Sequence, residues 1–467
     1  MIERLTPAES GFLARDSAGP RHVGQVQIFG GRTPTDPTRV AAAIAARVAQ
    51  LPRYRRKVLT GPAGLGGRAW IDDPDFDIDY HVRQSTLPTP GTREQLADFV
   101  ARVSARPLER SRPLWECYVV SGLADGGVAV VTKIHQALVD SLGAADLSGL
   151  SARRTDRVEP AEVWEPEPAP GLPDLLADAV AEAIRRPGTL AGTVRTGIGD
   201  LRSTARQVGR ATGTLAQVAR RSAGDRAFAV DTAHARRYLM VDAELAAYRD
   251  IRAKVHALGH PEPSIHGLTL TVLTGALRTW LLARGDHVRP ERSIRALVPL
   301  AVPGAGSEED GSRVEPAFVD LPVGERSPLT RLHQIEFALG RERRGMAAGE
   351  LAALSGFAPP GLHTLGARVG TSLSQRMYDV LVTNVPGPQG RRYADGVPLR
   401  ATYPVLPLAP GHALAVGMTS YRGQVHHGIL ADRDAVPDLD VLGGALAEAI
   451  EELRERATAT TDPARNR

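Results

Sequence analysis

A stretch of prolines and acids, Glu159 to Pro170 (EPAEVWEPEPAP), interrupts a chain whose flanks both alternate helix-like and strand-like patterns. Proline removes backbone donors and fixes φ, so such a stretch disfavours regular structure and suits a linker. This break predicts two α/β bodies rather than one continuous core, which also suits a length of 467 residues. Before the break, Ala41–Val48 and Arg93–Val103 repeat apolar residues at helical spacing. Trp115–Val120 and Val128–Ile134 read as strands, joined by the turn signal Ala124-Asp125-Gly126-Gly127. After it, Leu268–Ala283 reads as a buried helix and Ile294–Val302 as a strand. Strand-like stretches lie within Leu373–Val385 and Ala413–Ser420, and Val441–Leu453 is an amphipathic helix. The expected organisation is 1–150, a linker with a basic helix over 151–229, a second body over 230–455 and a frayed tail over 456–467.

Composition removes several classes of function. With 42% hydrophobic and 24% charged residues the chain reads as soluble and globular. A net charge of +4 and the lack of any basic–aromatic interleaving argue against nucleic acid as a partner. Cys117 stands alone, so neither an internal disulfide nor a cysteine-based zinc site can form. The acidic N-terminus is unlike a signal peptide, and no apolar run approaches the ~20 residues that span a bilayer. These features predict a cytoplasmic protein, with any membrane contact peripheral at the inner membrane. Arginines outnumber acids between Ile184 and Arg226 on a helical pattern. That pattern suits an ordinary amphipathic helix with a solvated basic face or a flexible insert, and alternatively a helix against anionic lipid or the phosphates of a nucleotide cofactor. Gly61–Gly67 lacks a P-loop lysine, and no H-E-x-x-H, G-x-S-x-G or S-x-x-K motif occurs. Cys117 lies in an apolar strand and reads as a core thiol.

Several short motifs carry a resemblance. Arg112-Pro113-Leu114-Trp115-Glu116 is followed about twenty residues on by Lys133-Ile134-His135-Gln136-Ala137-Leu138-Val139-Asp140-Ser141. Also present are RLTPAESGFL near the start, His22-Val23-Gly24, Trp70–His81 and Phe318-Val319-Asp320-Leu321-Pro322. Asn384-Val385-Pro386-Gly387-Pro388 and Thr419–Gly423 complete the series. In this order the motifs resemble the bacterial wax ester synthase/diacylglycerol acyltransferase family across nearly the whole chain. The resemblance implies an α/β fold of two chloramphenicol-acetyltransferase-like (CoA-dependent acyltransferase) domains with a central tunnel. It implies acyl-CoA as co-substrate, an alcohol or diacylglycerol as acceptor, and no metal or tightly bound cofactor. A peripheral membrane or lipid-droplet surface is the setting it suggests. In the family, the second histidine of HHxxxDG takes the proton from the acceptor hydroxyl. The motif's aspartate holds the loop, and the Asn-Val-Pro-Gly-Pro turn lies near the tunnel.

Here the motif is degenerate. His135 fills the first position, Gln136 the second, Asp140 the structural aspartate and Ser141 the final glycine. A neutral amide can hydrogen-bond an acceptor but cannot take its proton near pH 7. Along a strand from Val128 to Gln136, alternation sends Gln136 and His135 to opposite faces, which leaves His135 a structural role. Ser264-Ile265-His266-Gly267-Leu268 aligns with a family segment that usually carries Asn-Asp where His266 and Gly267 stand. His266 is therefore a candidate substitute base, against the plainer reading of a helix-start histidine. Ser141 can donate a hydrogen bond, narrow the channel, or be a tolerated small residue. Asn384, Pro386, Gly387 and Pro388 are expected to shape the tunnel. His426-His427 with Asp432 mimics the motif but has the wrong spacing.

Three functions follow. The first is an acyl-CoA-dependent O-acyltransferase of wax ester/triacylglycerol type, impaired or retasked by Gln136. The second is a non-catalytic acyl-CoA- or lipid-binding scaffold. The third is a condensation enzyme using an amine or another acceptor.

Overall fold

The computed structural model describes residues 3–14, 22–30, 34–60, 68–139, 150–155, 164–171, 228, 230, 235–302, 313–347, 378–409 and 411–459. The basic segment 184–226, Gly61–Gly67, Asp140 and Ser141 lie outside these residues. In the first half the strands are β1 (Glu3–Arg4), β2 (His22–Phe29), β3 (Arg56–Thr60), β4 (Arg68–Asp72), β5 (Val82–Thr86), β6 (Trp115–Ser121) and β7 (Val128–His135). The helices are α1 (Pro7–Ala14), α2 (Pro37–Ala49), α3 (Ile78–His81) and α4 (Arg93–Ala105). The second half contains β8 (Arg236–Glu244), β9 (Ile294–Val302), β10 (Arg313–Leu321), β11 (Val380–Val385), β12 (Tyr393–Ala394), β13 (Val397–Val405), β14 (Leu414–Tyr421) and β15 (Gln424–Asp432). Its helices are α5 (Leu245–Ala257), α6 (Ile265–Ala283), α7 (Pro328–Ala347) and α8 (Leu439–Ala459). Helix α8 thus runs past 456, where the sequence suggests a frayed tail, because Ala457 is buried.

Local chemistry places the helix starts. Asp36 caps α2 through the Thr38 amide, with proline at the first helical position. Thr92 and Gln95 form a reciprocal capping box at α4, and the Ser264 hydroxyl accepts from the Gly267 amide at α6. Strands β6 and β7 pair antiparallel through the expected turn, where Gly126 has φ of 72°.

The strands form a small sheet β1–β4–β3 and two six-stranded sheets. Their orders are β12–β13–β2–β7–β6–β5 and β10–β9–β11–β14–β15–β8. The first large sheet therefore includes two strands from late in the chain, with β13 antiparallel to β2. A division of the sequence at 150 and 230 does not anticipate this exchange. Helix α2 and one face of the first sheet share a core that includes Ile44, Val130 and Trp115. The four helices α5 to α8 cover one face of the second sheet, around residues such as Trp280, Val298 and Leu446.

A third core lies between the halves. Val26, Leu96, Val100 and Val131 meet Met240, Ala415 and Leu430, with Tyr403 and Val405 of the crossover strand among them. Two facing glycines, Gly417 and Gly428, let β13 lie against the second sheet. A Cβ on Gly428 would sit 1.9 Å from the Pro404 carbonyl oxygen, and one on Gly417 would sit 2.6 Å from the Pro404 Cβ. With both faces covered, β7 is buried along its whole length, which explains its continuous rather than alternating apolar run. Between the halves, residues 164–171 adopt no regular secondary structure, as the prolines predict. Trp164 nevertheless docks on the first half, its ring edge-on to Phe76 and 4.5 Å from the Arg55 guanidinium.

Candidate active site

The degenerate motif begins where β7 ends. His135 is the last strand residue, and 136–139 form a turn closed by the Leu138 amide donating to the His135 carbonyl at 2.9 Å. Strand alternation therefore ends at His135, because Gln136 has already left the strand. His135 is buried, and its Nδ1 accepts a 3.0 Å hydrogen bond from the Ala137 amide. That bond occupies the lone pair of Nδ1 and ties the ring to its own turn, so Nδ1 is a loop-holding atom rather than a base. Gln136 is half-buried, and its Oε1 is shielded from solvent with no hydrogen-bond partner among the described residues. A buried, unpaired amide oxygen costs about 1–3 kcal/mol unless something satisfies it.

Two residues before the histidine, Lys133 is buried beneath the turn. Its Nζ lies 3.5 Å from the Glu116 carboxylate, which also accepts from the Tyr118 hydroxyl at 2.8 Å and lies 3.6 Å from Arg83. Burial pulls Lys133 below the usual lysine range, opposed by the Glu116 charge. Glu116, which ends the Arg112–Glu116 motif, is thus the counter-ion of the motif lysine. Trp115 of the same motif packs its ring on Tyr54 and His81 and donates to the Tyr54 carbonyl.

Opposite His135 across the β2–β7 ladder stands His22. The two rings are 6.2 Å apart and edge to face. His22 is 8% exposed, and its Nδ1 has no partner among the described residues. Burial, with smaller contributions from the nearby Lys133 and His135, holds its pKa well below the ordinary histidine value. His22 lines a crevice between the halves, together with Gly24, Lys133 and Val405 of its own sheet and with Arg236 and Leu430 of the other. In the sequence His22 is only part of a family match. Its position depends on strand register, which local patterning does not reveal.

The other candidates gather elsewhere. His266 lies in the first turn of α6, with its Nε2 buried and unpartnered among the described residues. Burial, reinforced by the Arg343 charge, lowers its pKa to about 4. Ser264 donates through both its amide and its hydroxyl to Glu336 of α7, at 2.7 and 2.8 Å. One turn beyond His266, Thr269 Oγ1 accepts from Asn384 Nδ2 at 3.0 Å, which ties the end of β11 to α6. The structure therefore brings His266 and Asn384 to one region, while no hydrogen bond or ion pair among the described residues joins either to Gln136. In the following turn, the Gly387 amide donates to Ser420 Oγ at 3.3 Å. A Cβ on Gly387 would lie 2.1 Å from the Ser420 carbonyl oxygen, so only glycine lets Pro386 and Pro388 approach β14 this closely.

His426 and His427 lie on β15, leaving a turn as expected. The Asp242 carboxylate is 2.7 Å from His426 Nδ1, accepts from the Tyr403 hydroxyl at 2.8 Å and from Arg93 at 2.8 Å. These four residues come from α4, β8, β13 and β15 and join the two halves. Asp432 is 3.4 Å from Arg236 and accepts from the amides of Asp434 and Ala435, so it closes a turn. Cys117 is fully buried and its thiol is pushed up to about 12 by burial, an unreactive core position. Among the described residues no group of three His, Cys, Asp or Glu is placed to hold a metal. No helix among them is long and apolar enough to cross a membrane.

Comparison with known proteins matches two successive segments of the chain. Residues 5–257 match the wax ester synthase/diacylglycerol acyltransferase catalytic domain, and residues 311–454 match the WS/DGAT C-terminal domain. A probable diacylglycerol O-acyltransferase, tgs1 of Mycobacterium tuberculosis, is 30% identical over 97% of this chain and 96% of its own. The probable diacylglycerol O-acyltransferase tgs3 of the same species is 38% identical over 54% of this chain. Among solved structures, the wax ester synthase/diacylglycerol acyltransferase from Marinobacter aquaeolei VT8 superposes with a TM-score of 0.70 at 23% identity, covering 98% of this chain and all of that one. The first condensation domain of the CDA synthetase shares the fold at a TM-score of 0.53 and 16% identity, covering 98% and 97%. With both domain families matched in order and whole-length relatives at this identity, the chain belongs to the wax ester synthase/diacylglycerol acyltransferase family.

Proposed function

We propose that this protein transfers a fatty acyl group from acyl-CoA to the hydroxyl of a long-chain alcohol or diacylglycerol, at a rate lowered by Gln136. Family membership supports the reaction class. The single observation that carries the lowered rate is the residue at the second motif position, a glutamine whose carbonyl oxygen is buried and unpaired at the end of β7. That oxygen can accept a hydrogen bond from an incoming hydroxyl and so hold it. It cannot keep the proton, and loss of a general base costs a factor of about 10² to 10⁴, or about 3–5 kcal/mol of transition-state stabilisation. In this reading the turn 136–139 receives the acceptor, and Asn384 to Pro388 shapes the acyl channel from the second half. The chemistry calls for acyl-CoA as co-substrate and for no metal. A location at the inner face of a membrane or at a lipid droplet, with the basic segment 184–226 against anionic lipid, belongs to the same proposal.

The glutamine also favours a second reading, in which the protein binds acyl-CoA without turning it over. One experiment separates them. Palmitoyl-CoA is supplied with hexadecanol or diolein to the wild type and to Gln136→His, and ester formation is measured. Measurable transfer by the wild type, raised by about two orders of magnitude or more in Gln136→His, supports the impaired acyltransferase. Binding of palmitoyl-CoA with no transfer by either protein refutes it and leaves the binding protein.

A further inference from the structure

We propose that His22 is the group that takes the acceptor's proton in this protein, in place of the base missing at Gln136. This rests on the acyltransferase reading above. The first observation is strand register. Strand β2 runs antiparallel to β7 with His22 opposite His135, so His22 is the cross-strand neighbour of the residue that precedes Gln136. Alternation along β2 places His22, Gly24 and Val26 on one face, and Val26 belongs to the core between the halves. His22 therefore faces the seam, as its place in the wall of the interdomain crevice also shows.

The state of its nitrogen is the second observation. His22 Nδ1 is buried and has no hydrogen-bond partner among the described residues. Such an atom costs about 1–3 kcal/mol and calls for an explanation in a ligand or a function. Gly24 is next on the same face and presents no side chain to the crevice. The remaining lining is mixed, with Val405 of the adjoining strand β13, Leu408 and Leu430 beside the Arg236 side chain. Two other candidate imidazoles are bonded to the turn itself or carried on an element tied elsewhere. His135 Nδ1 is already used by the Ala137 amide, and the bonds around His266 tie its helix to Glu336 and Asn384 rather than to the motif turn. Burial and the neighbouring Lys133 and His135 keep His22 neutral near pH 7, so its ring retains a lone pair for a proton.

The step balances without any other reactant. The acceptor oxygen forms a bond to the thioester carbonyl carbon as its proton moves to His22. The carbon–sulfur bond then breaks, and the leaving thiolate takes that proton back from the imidazolium. The products are the ester and free CoA, and His22 returns to neutral.

The test uses the full chain with palmitoyl-CoA and hexadecanol, comparing wild type, His22→Gln, His22→Ala and the double variant His22→Gln/Gln136→His. The expected result is a fall in kcat of about a hundredfold or more in His22→Gln, with palmitoyl-CoA binding within about twofold of wild type. Added imidazole restores transfer to His22→Ala, and the double variant recovers activity because a base returns at 136. Wild-type activity that His22→Gln leaves unchanged overturns the inference and leaves the acyltransferase reading standing. Activity lost in His22→Gln but restored by neither route makes His22 a structural strand residue and overturns it as well. A wild type with no transfer at all removes the acyltransferase reading and this inference with it. Should His22→Gln fail to fold, His22→Asn in the same assay decides by the same outcomes.

Discussion

At the scale of single residues, the protein is governed by what burial does to imidazole. His427 is 1% exposed, and burial outweighs the hydrogen bond from its ring to the Val241 carbonyl and holds its pKa at about 4. In an unfolded chain histidine titrates near 6.5. Because the folded value is the lower one, the unfolded chain binds more protons between about pH 6.5 and 4. Stability is full above that window and is lost as the pH falls through it, by about 1.4 kcal/mol per pH unit for one such group. We expect urea midpoints to fall on acidification from pH 6.5, and His427→Gln to flatten that slope. His427→Gln with the wild-type slope would assign the acid sensitivity to other groups, of which His266 titrates in the same sense. Much of this scale is legible in the sequence. Gln136 and His266 stand out by type and position alone. The situation of His22 was not legible, because nothing within a few residues of it says that β7 lies alongside or that a seam lies above.

At the scale of elements, short-range signals set most boundaries. The strands 115–121 and 128–135, the helices 93–105 and 265–283, and the strand 294–302 begin or end within a few residues of where spacing and turn residues place them. Capping is a local interaction and can be tested locally. Thr92→Ala removes one side of the box on α4 and should lower stability by about 1 kcal/mol, read as a shift in urea midpoint with unchanged m-value. The effect should reach beyond the helix, since Leu96 and Val100 of α4 are part of the core between the halves. Strand β13 shows the limit of such signals. Its residues have a strand-like composition, but only pairing with β2 reveals that it belongs to the other half's sheet.

At the scale of the whole molecule, the seam between the halves is the decisive feature. It is held by the exchanged strand, by apolar contacts, and by Asp242, which joins Arg93, Tyr403 and His426. Although burial alone would raise the Asp242 pKa, the bonds and charges of His426, Arg93 and Tyr403 outweigh it and hold the carboxyl well below the usual range. Gly428→Val should be the most disruptive single change at this seam, because the new side chain would meet the Pro404 carbonyl, which cannot yield without moving β13. We expect a loss of about 3 kcal/mol or more and faster proteolysis between the halves. Asp242→Ala, which leaves the backbone in place, should cost less, about 2 kcal/mol. A Gly428→Val protein as stable as the wild type would show that the strand is not held by this contact.

The sequence by itself determined the two α/β halves, the proline-rich break, the family motifs in order and the replacement of a histidine by Gln136. These are properties of composition and of windows a few residues long, where hydrophobic period, turn chemistry and motif spacing are all expressed. Only the tertiary structure decided that β13 crosses to the other sheet, that His22 stands beside His135, and that Asp242 ties four elements together. Those outcomes depend on which distant strands pair and in what register, and a shift of one residue in that pairing turns every side chain to the opposite face.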